Sequence, residues 1–131
     1  YCAVAVILFV AVLLMFVRPL GVIVDERFPS VQLVAALGDL RAFHDDSAGG
    51  YLIYAEWPDR LIYIDDRAEL YGVELFNEFR EIRDGNYREA FDRRNIEVAL
   101  ARNSWPLGAV LTRDGWTARA SDEMFTVYAR P

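Results

Sequence analysis

His44, Asp45, Asp46, Asp65 and Asp66 bring one imidazole and four carboxylates onto two loops of similar design. In each, a short apolar segment runs into the polar cluster. Residues 41–43 lead into His44-Asp45-Asp46 and then Gly49-Gly50-Tyr51; residues 61–64 lead into Asp65-Asp66-Arg67 and then Leu70-Tyr71-Gly72. Carboxylates and a neutral imidazole suffice for a divalent cation or for sugar hydroxyls. Two such loops at the ends of neighbouring parallel strands would share the carboxyl edge of a sheet, where open α/β sheets bind ligands, with strands only ~4.8 Å apart. His44, Asp45, Asp46, Asp65, Asp66, Arg67 and Tyr71 are therefore the candidate ligand-binding set; no catalytic residue is assigned, and the pattern specifies neither metal nor cofactor. The same residues also have structural roles to fill. Asp46 or Ser47 would cap the helix after the first strand, Asp65 would accept loop amides, Arg67 would pair with a carboxylate, and His44 would be a hydrogen-bonded loop residue. Tyr51, Tyr54, Trp57, Tyr63 and Tyr71 offer a sugar-stacking platform, or else the filling of a core or an interface.

Other chemistries lack their parts. Gly49-Gly50 follows a strand but has neither dinucleotide nor P-loop spacing, and no Lys follows. A single His and a single Cys, Cys2, leave little for nucleophile and base, and exclude an intrachain disulfide. The net charge of −6 and pI near 4.7 oppose binding to a phosphate backbone, so nucleic acid is not an expected partner. All 14 basic residues are Arg, read as a bias of composition.

The elements that must position these loops follow a strongly apolar beginning. Residues 1–17 contain no charge, and Arg18-Pro19 precedes a second apolar run, 20–24. Eleven Leu, Ile, Val and Phe in the first run favour insertion into a bilayer by at most about 3 to 7 kcal/mol. Residues 1–24 are therefore expected to be a transmembrane helix, the last of a larger membrane region, with the lipid bilayer and upstream membrane helices as partners. A secretory signal would need a basic start and a small-residue cleavage site, and a buried core helix this apolar would exceed a domain of this size. Only one flank of the run is present, so charge does not decide its orientation.

Residues 25–40 read as a linker helix begun at Phe28-Pro29-Ser30, with Val31, Leu33, Val34 and Leu37 on one face and Gly38 as its stop. Residues 41–131 then read as an α/β domain. A first strand covers about 41–44; residues 50–57, closed by Pro58, read as a helix of one or two turns, with a strand as the alternative given their β-branched and aromatic content; a second strand covers 61–64. The clearest helix follows, with Leu75, Phe76, Phe79 and Ile82 inward and Glu74, Asn77, Glu78, Arg80 and Glu81 outward, ending at Asp84-Gly85. Asn86 with Glu89 predicts a capping box for a further helix that buries Tyr87, Ala90 and Phe91 and stops at Asn95. A third strand at 96–100, a helix capped by Ser104 and stopping at Asp114-Gly115, and an antiparallel hairpin at 116–120 and 124–129 complete the chain. This is a small three-layer α/β unit with a mostly parallel sheet.

The landmarks Arg27-Phe28-Pro29, Gly49-Gly50-Tyr51-Leu52, Ile64-Asp65-Asp66-Arg67, Leu70-Tyr71-Gly72 and the 96–100 strand come in an order that resembles the C-terminal domain of uncharacterised polytopic bacterial membrane proteins related to GT-C-type glycosyltransferases. The resemblance spans about the whole chain. It departs from the family pattern at Ser47-Ala48, where relatives carry Tyr-Trp, and at Asp66, where they carry Gly. The resemblance implies an extracytoplasmic domain at the cell membrane, and a complete protein that transfers sugar from a lipid-linked donor through an acidic residue in an upstream loop absent from this chain. A saccharide or lipid-linked sugar would then be a partner, and this domain an accessory without catalysis of its own. The alternative is a noncatalytic interaction domain that docks a partner or its own membrane bundle.

Overall fold

A computed structural model of the chain describes residues 27–131. The expected transmembrane segment 1–24 lies outside the described residues, among which no helix is long and apolar enough to cross a membrane. The first helix, α1 (Val31–Leu37), starts where Ser30 Oγ accepts the Leu33 amide at 3.4 Å, and stops at Gly38 with φ +57°. These are the expected boundaries. Leu33, Val34 and Leu37 are buried, so the segment expected as a linker contributes to the core; Val31 points to solvent.

After α1 come β1 (Ala42–His44), α2 (Asp46–Glu56), a 3₁₀ turn (Ala68–Leu70), α3 (Gly72–Arg83), α4 (Arg88–Arg94), β2 (Val98–Arg102), α5 (Pro106–Arg113), β3 (Thr117–Ser121) and β4 (Phe125–Ala129). The strands form one sheet in the order β1-β2-β4-β3. β1 runs parallel to β2, with Phe43 opposite Ala99, and β4 is antiparallel to both β2 and β3. The sheet is therefore mixed, with one parallel pairing among the described residues, rather than mostly parallel.

The loss of parallel character traces to residues 61–64, which form no strand. The Tyr63 amide, which a strand would commit to a backbone ladder, donates instead to the His44 side chain. Ile64 is still buried and Tyr63 still packs on Phe43, so apolar content alone could not separate a strand from a coil that covers the core.

Period-two alternation sorts the strand residues between two layers. Ala42, Val98, Leu100, Phe125 and Val127 face α1 and α2 and pack with Leu33, Leu37, Ala48 and Leu52. Phe43, Ala99 and Ala101 face the other way, toward Phe79, Ile82, Phe91, Leu107 and Leu111 of α3, α4 and α5. Phe43 is the hub of that second layer, its ring centroid 5.0 Å from Tyr63, 5.4 Å from Phe91 and 5.8 Å from Phe79. β2 is buried on both faces, as its continuous apolar run requires, whereas β3 is the solvent-facing edge.

Two expected caps are displaced. The Asn86 amide bonds to Glu81 O at 2.9 Å as α3 unwinds through Gly85 (φ +108°). The next helix therefore begins only after Tyr87, without a side-chain cap. Its end at Asn95, in the left-handed region at φ 54°, is as expected. Pro106 occupies the first turn of α5 and holds the residue before it extended, so Trp105 (φ −86°, ψ 143°) takes the cap position in place of Ser104.

Candidate functional site

β1 ends at His44, which is fully buried. Its Nε2 accepts the Tyr63 amide at 2.8 Å, so the ring proton sits on Nδ1, which donates to the Asp45 carbonyl at 2.9 Å. Both nitrogens are occupied by backbone. Burial pushes the pKa down to about 4, and the ring is neutral at physiological pH. A neutral imidazole with its Nε2 lone pair already engaged has nothing to offer a metal.

Asp45 is also buried. Its carboxylate accepts the Ser47 amide at 3.0 Å and thereby caps α2, a role expected of Asp46 or Ser47. The cap falls one residue earlier because Asp45 is the last extended residue (φ −58°, ψ 140°) and the backbone is helical from Asp46. Arg102, the last residue of β2, donates through Nε to the Asp45 carboxylate and through Nη2 to Ser47 Oγ at 2.7 Å. Its guanidinium lies 5.0 Å from the Phe125 ring centroid. The half-buried Asp46 accepts the Ser47 amide at 2.9 Å. A hydrogen bond with the Asp45 carboxylate, burial and the charge of that neighbour together raise its pKa to about 6.

The second loop lies directly against the first. Gly49 of α2 faces the backbone of Ile64 and Asp65 so closely that a Cβ there would lie 2.8 Å from Asp65 Cα. Asp65 is buried, accepts the Arg67 amide at 3.0 Å, and pairs with Arg67 Nε at 3.0 Å and Nη2 at 2.5 Å. The hydrogen bonds from Arg67 hold its carboxyl below the usual carboxylate range. Tyr71 is half-buried at the end of this loop; burial, then the Asp65 charge, raise its phenol pKa. Asp66 and Arg67 are exposed.

The fold thus brings the two motifs into contact, with their buried carboxylates taken up by separate arginines. Asp45 has Arg102 and Asp65 has Arg67, and among the described residues no three His, Cys, Asp or Glu side chains are grouped to hold a metal ion. The five aromatics are likewise dispersed. Tyr63 belongs to the core, Tyr51 packs on Phe28 at 5.7 Å, and Tyr54 and Trp57 stand in solvent. A surface cleft between α3 and α4, lined by Glu74, Glu78, Glu81, Arg88, Glu89 and Arg93, includes none of the seven candidates.

Two sets of residues escaped the sequence reading. Arg102 had a signal: period two along β2 places it on the face of Val98 and Leu100, beside the helix that Asp45 caps. Glu78, expected in water, is half-buried and accepts from the Tyr63 hydroxyl, from Arg94 Nε at 2.7 Å and from Arg93. Against its own burial, Tyr63 and the two arginines hold the Glu78 carboxyl down. The Arg94 guanidinium also lies 5.3 Å from the Tyr63 ring centroid, so the network ties α3 and α4 to the 61–64 segment. Compared with known proteins, the chain matches no family model, no curated protein and no solved structure.

Proposed function

We propose that this chain is an accessory extracytoplasmic domain of a membrane protein resembling the GT-C-type glycosyltransferases, held at the cell membrane by residues 1–24 as a transmembrane helix and not catalytic on its own. One observation carries the noncatalytic part. The residues best equipped for chemistry are bonded to one another and to backbone: His44 to Tyr63 and Asp45, Asp45 to Ser47 and Arg102, Asp65 to Arg67. A general base or a metal ligand needs a lone pair facing substrate, and these lone pairs face the fold. The cluster is a clasp that closes the two loops over the edge of β1. Attachment to the membrane is supported by the charge-free run 1–17.

The test uses the whole chain expressed in a bacterial cell. It should resist alkaline carbonate extraction. A single cysteine at the exposed position 104 (Ser104→Cys in a Cys2→Ser background) should react with a membrane-impermeant maleimide in intact cells. Purified in detergent, the chain should transfer no sugar from a polyprenyl-phosphate donor. Release by carbonate overturns the anchor, labelling only after lysis overturns the extracytoplasmic placement, and sugar transfer overturns the accessory role.

A further inference from the structure

The two faces of the sandwich differ in kind. α3 carries Glu74, Glu78, Arg80, Glu81 and Arg83, and α4 carries Arg88, Glu89, Asp92, Arg93 and Arg94, as helices facing water do. α1 contains no charged residue at all, and α2 carries only Asp46 and Glu56, one at each end, with Glu56 paired to Arg60. Between those ends α2 is apolar or small around its whole circumference. Ala48, Gly49 and Leu52 are buried against the sheet, Tyr51 and Ile53 are half-buried, and Gly50, Tyr54 and Ala55 face outward. A helix apolar on all sides is a covered helix. Yet on the outer surface of this layer Val31 is 72% exposed, Tyr54 69% and Trp57 70%.

The route of the chain indicates what covers it. The Phe28 ring rests on Tyr51 of α2 at 5.7 Å, and Val24, the end of the apolar run, is only four residues earlier. Four residues span at most about 14 Å. If residues 1–24 sit in a bilayer, the uncharged face of α2 is the part of the domain tethered nearest to it. Trp and Tyr are the side chains that favour the headgroup level, where a flat ring meets acyl chains and its polar atom meets water.

We infer that the outer face of the α1–α2 layer, with Tyr54 and Trp57 as its prongs, lies against the lipid bilayer at the headgroup boundary. The domain docks sideways onto the membrane and turns the charged α3–α4 face to water. This inference rests on the membrane attachment proposed above, and the experiment separates the two.

The chain has three tryptophans, Trp57, Trp105 and Trp116. Trp105 and Trp116 pack in the opposite layer, on Phe79 and Phe91 respectively, so lipid-borne quenchers report on Trp57. The full chain is reconstituted into phosphatidylcholine vesicles, floated on a density gradient, and its fluorescence compared with that in vesicles whose acyl chains are brominated. The difference between wild type and Trp57→Phe isolates the residue, and its exposure makes that variant harmless to the fold. Co-flotation, with loss of the Trp57 emission in brominated vesicles and no such loss in Trp57→Phe, is the expected result. Co-flotation with Trp57 unquenched by lipid and freely quenched by aqueous acrylamide overturns the docking and leaves the anchor standing. Co-flotation with Trp57 shielded from both quenchers assigns the face to protein, a second copy or the chain's own membrane segment, and also overturns it. Failure to float removes the anchor and the docking together.

Discussion

The Nε2 atom of His44 accepts the backbone N–H of Tyr63 at 2.8 Å, and this one bond stands where a strand ladder would otherwise join the 61–64 segment to β1. It makes a buried imidazole the clip between the first strand and the second loop. Because the fold needs that ring neutral, the clip has a pH dependence of definite sign. The pKa of His44 is lowered from 6.5 to about 4 on folding, so the unfolded chain takes up a proton before the folded one does. The associated stability is complete above pH 6.5 and lost as pH falls through about 4. The shift corresponds to roughly 3 kcal/mol at most. Asp46 works in the opposite sense. Its pKa is raised from 3.8 to about 6, so the folded state favours its protonated form, and that stabilisation is present below 3.8 and lost as pH rises through about 6. In denaturant melts, His44→Gln should flatten the fall in stability between pH 6.5 and 4, and Asp46→Asn should raise the midpoint at pH 7 but not at pH 4. An unchanged pH profile in His44→Gln would remove the histidine from the account.

Gly49 and Gly50 are neighbours with opposite constraints. A Cβ at Gly49 meets the Ile64 and Asp65 backbones, which cannot swing aside, whereas one at Gly50 meets nothing within 4 Å. Gly49→Ala should therefore cost about 2 to 3 kcal/mol by prising α2 from the second loop. Gly50→Ala should be neutral or stabilise by up to about 1 kcal/mol, since it lies within a helix. Urea unfolding of the two variants side by side decides this, and equal effects would contradict the packing described.

Arg102 joins the end of β2 to the cap of α2 through a carboxylate that is 1% exposed. Arg102→Met keeps much of the apolar stem but strands Asp45, and should cost about 3 kcal/mol. Adding Asp45→Asn to Arg102→Met should recover part of that loss, because the uncompensated buried charge is gone while a side-chain acceptor for the Ser47 amide remains. A double variant no more stable than Arg102→Met alone would show that the charge pair is not what holds the corner.

Asp65 is bound to Arg67 and to the loop backbone. Asp65→Asn should lower stability by about 1 kcal/mol through the weakened amide acceptor and lost ion pair. Calcium, magnesium or simple sugars should leave the melting temperature of wild type and variant alike unchanged. A ligand-dependent rise in wild type that Asp65→Asn abolishes would establish the two loops as a binding site.

The parts legible in the sequence are those where local chemistry and tertiary environment agree. Ser30 and Gly38 bracket α1; Phe79 and Ile82 mark the inner face of α3; Asn95 takes the left-handed turn; β3 and β4 pair as the expected antiparallel hairpin, although β3 is almost wholly exposed, β4 almost wholly buried, and the register shifts between Ala118 and Ala120. The misreadings arise where a partner or a backbone constraint outside the motif competes with it, in some cases far along the chain and in others only a few residues away. Residues 61–64 have strand composition, but a side chain 19 residues earlier takes the Tyr63 amide. Asn86 has cap chemistry, but its amide is held by Glu81. The candidate cluster was legible as a list of residues and as two adjacent loops. Its meaning depended on Arg102, 57 residues from Asp45, and no local pattern discloses which carboxylate a distant arginine will neutralise.

The claim that the chemistry-bearing residues are consumed by the fold is tested most directly at His44, the only histidine in the chain. Nitrogen-15 correlation spectra of the imidazole in the full chain, reconstituted in lipid nanodiscs, give its tautomer and its titration without ambiguity of assignment. The account predicts a single neutral form with the proton on Nδ1, unchanged from pH 8 down to about 5 and indifferent to zinc, calcium or added sugar. A ring that titrates near 6.5, carries its proton on Nε2, or shifts when a metal or saccharide is added would contradict it.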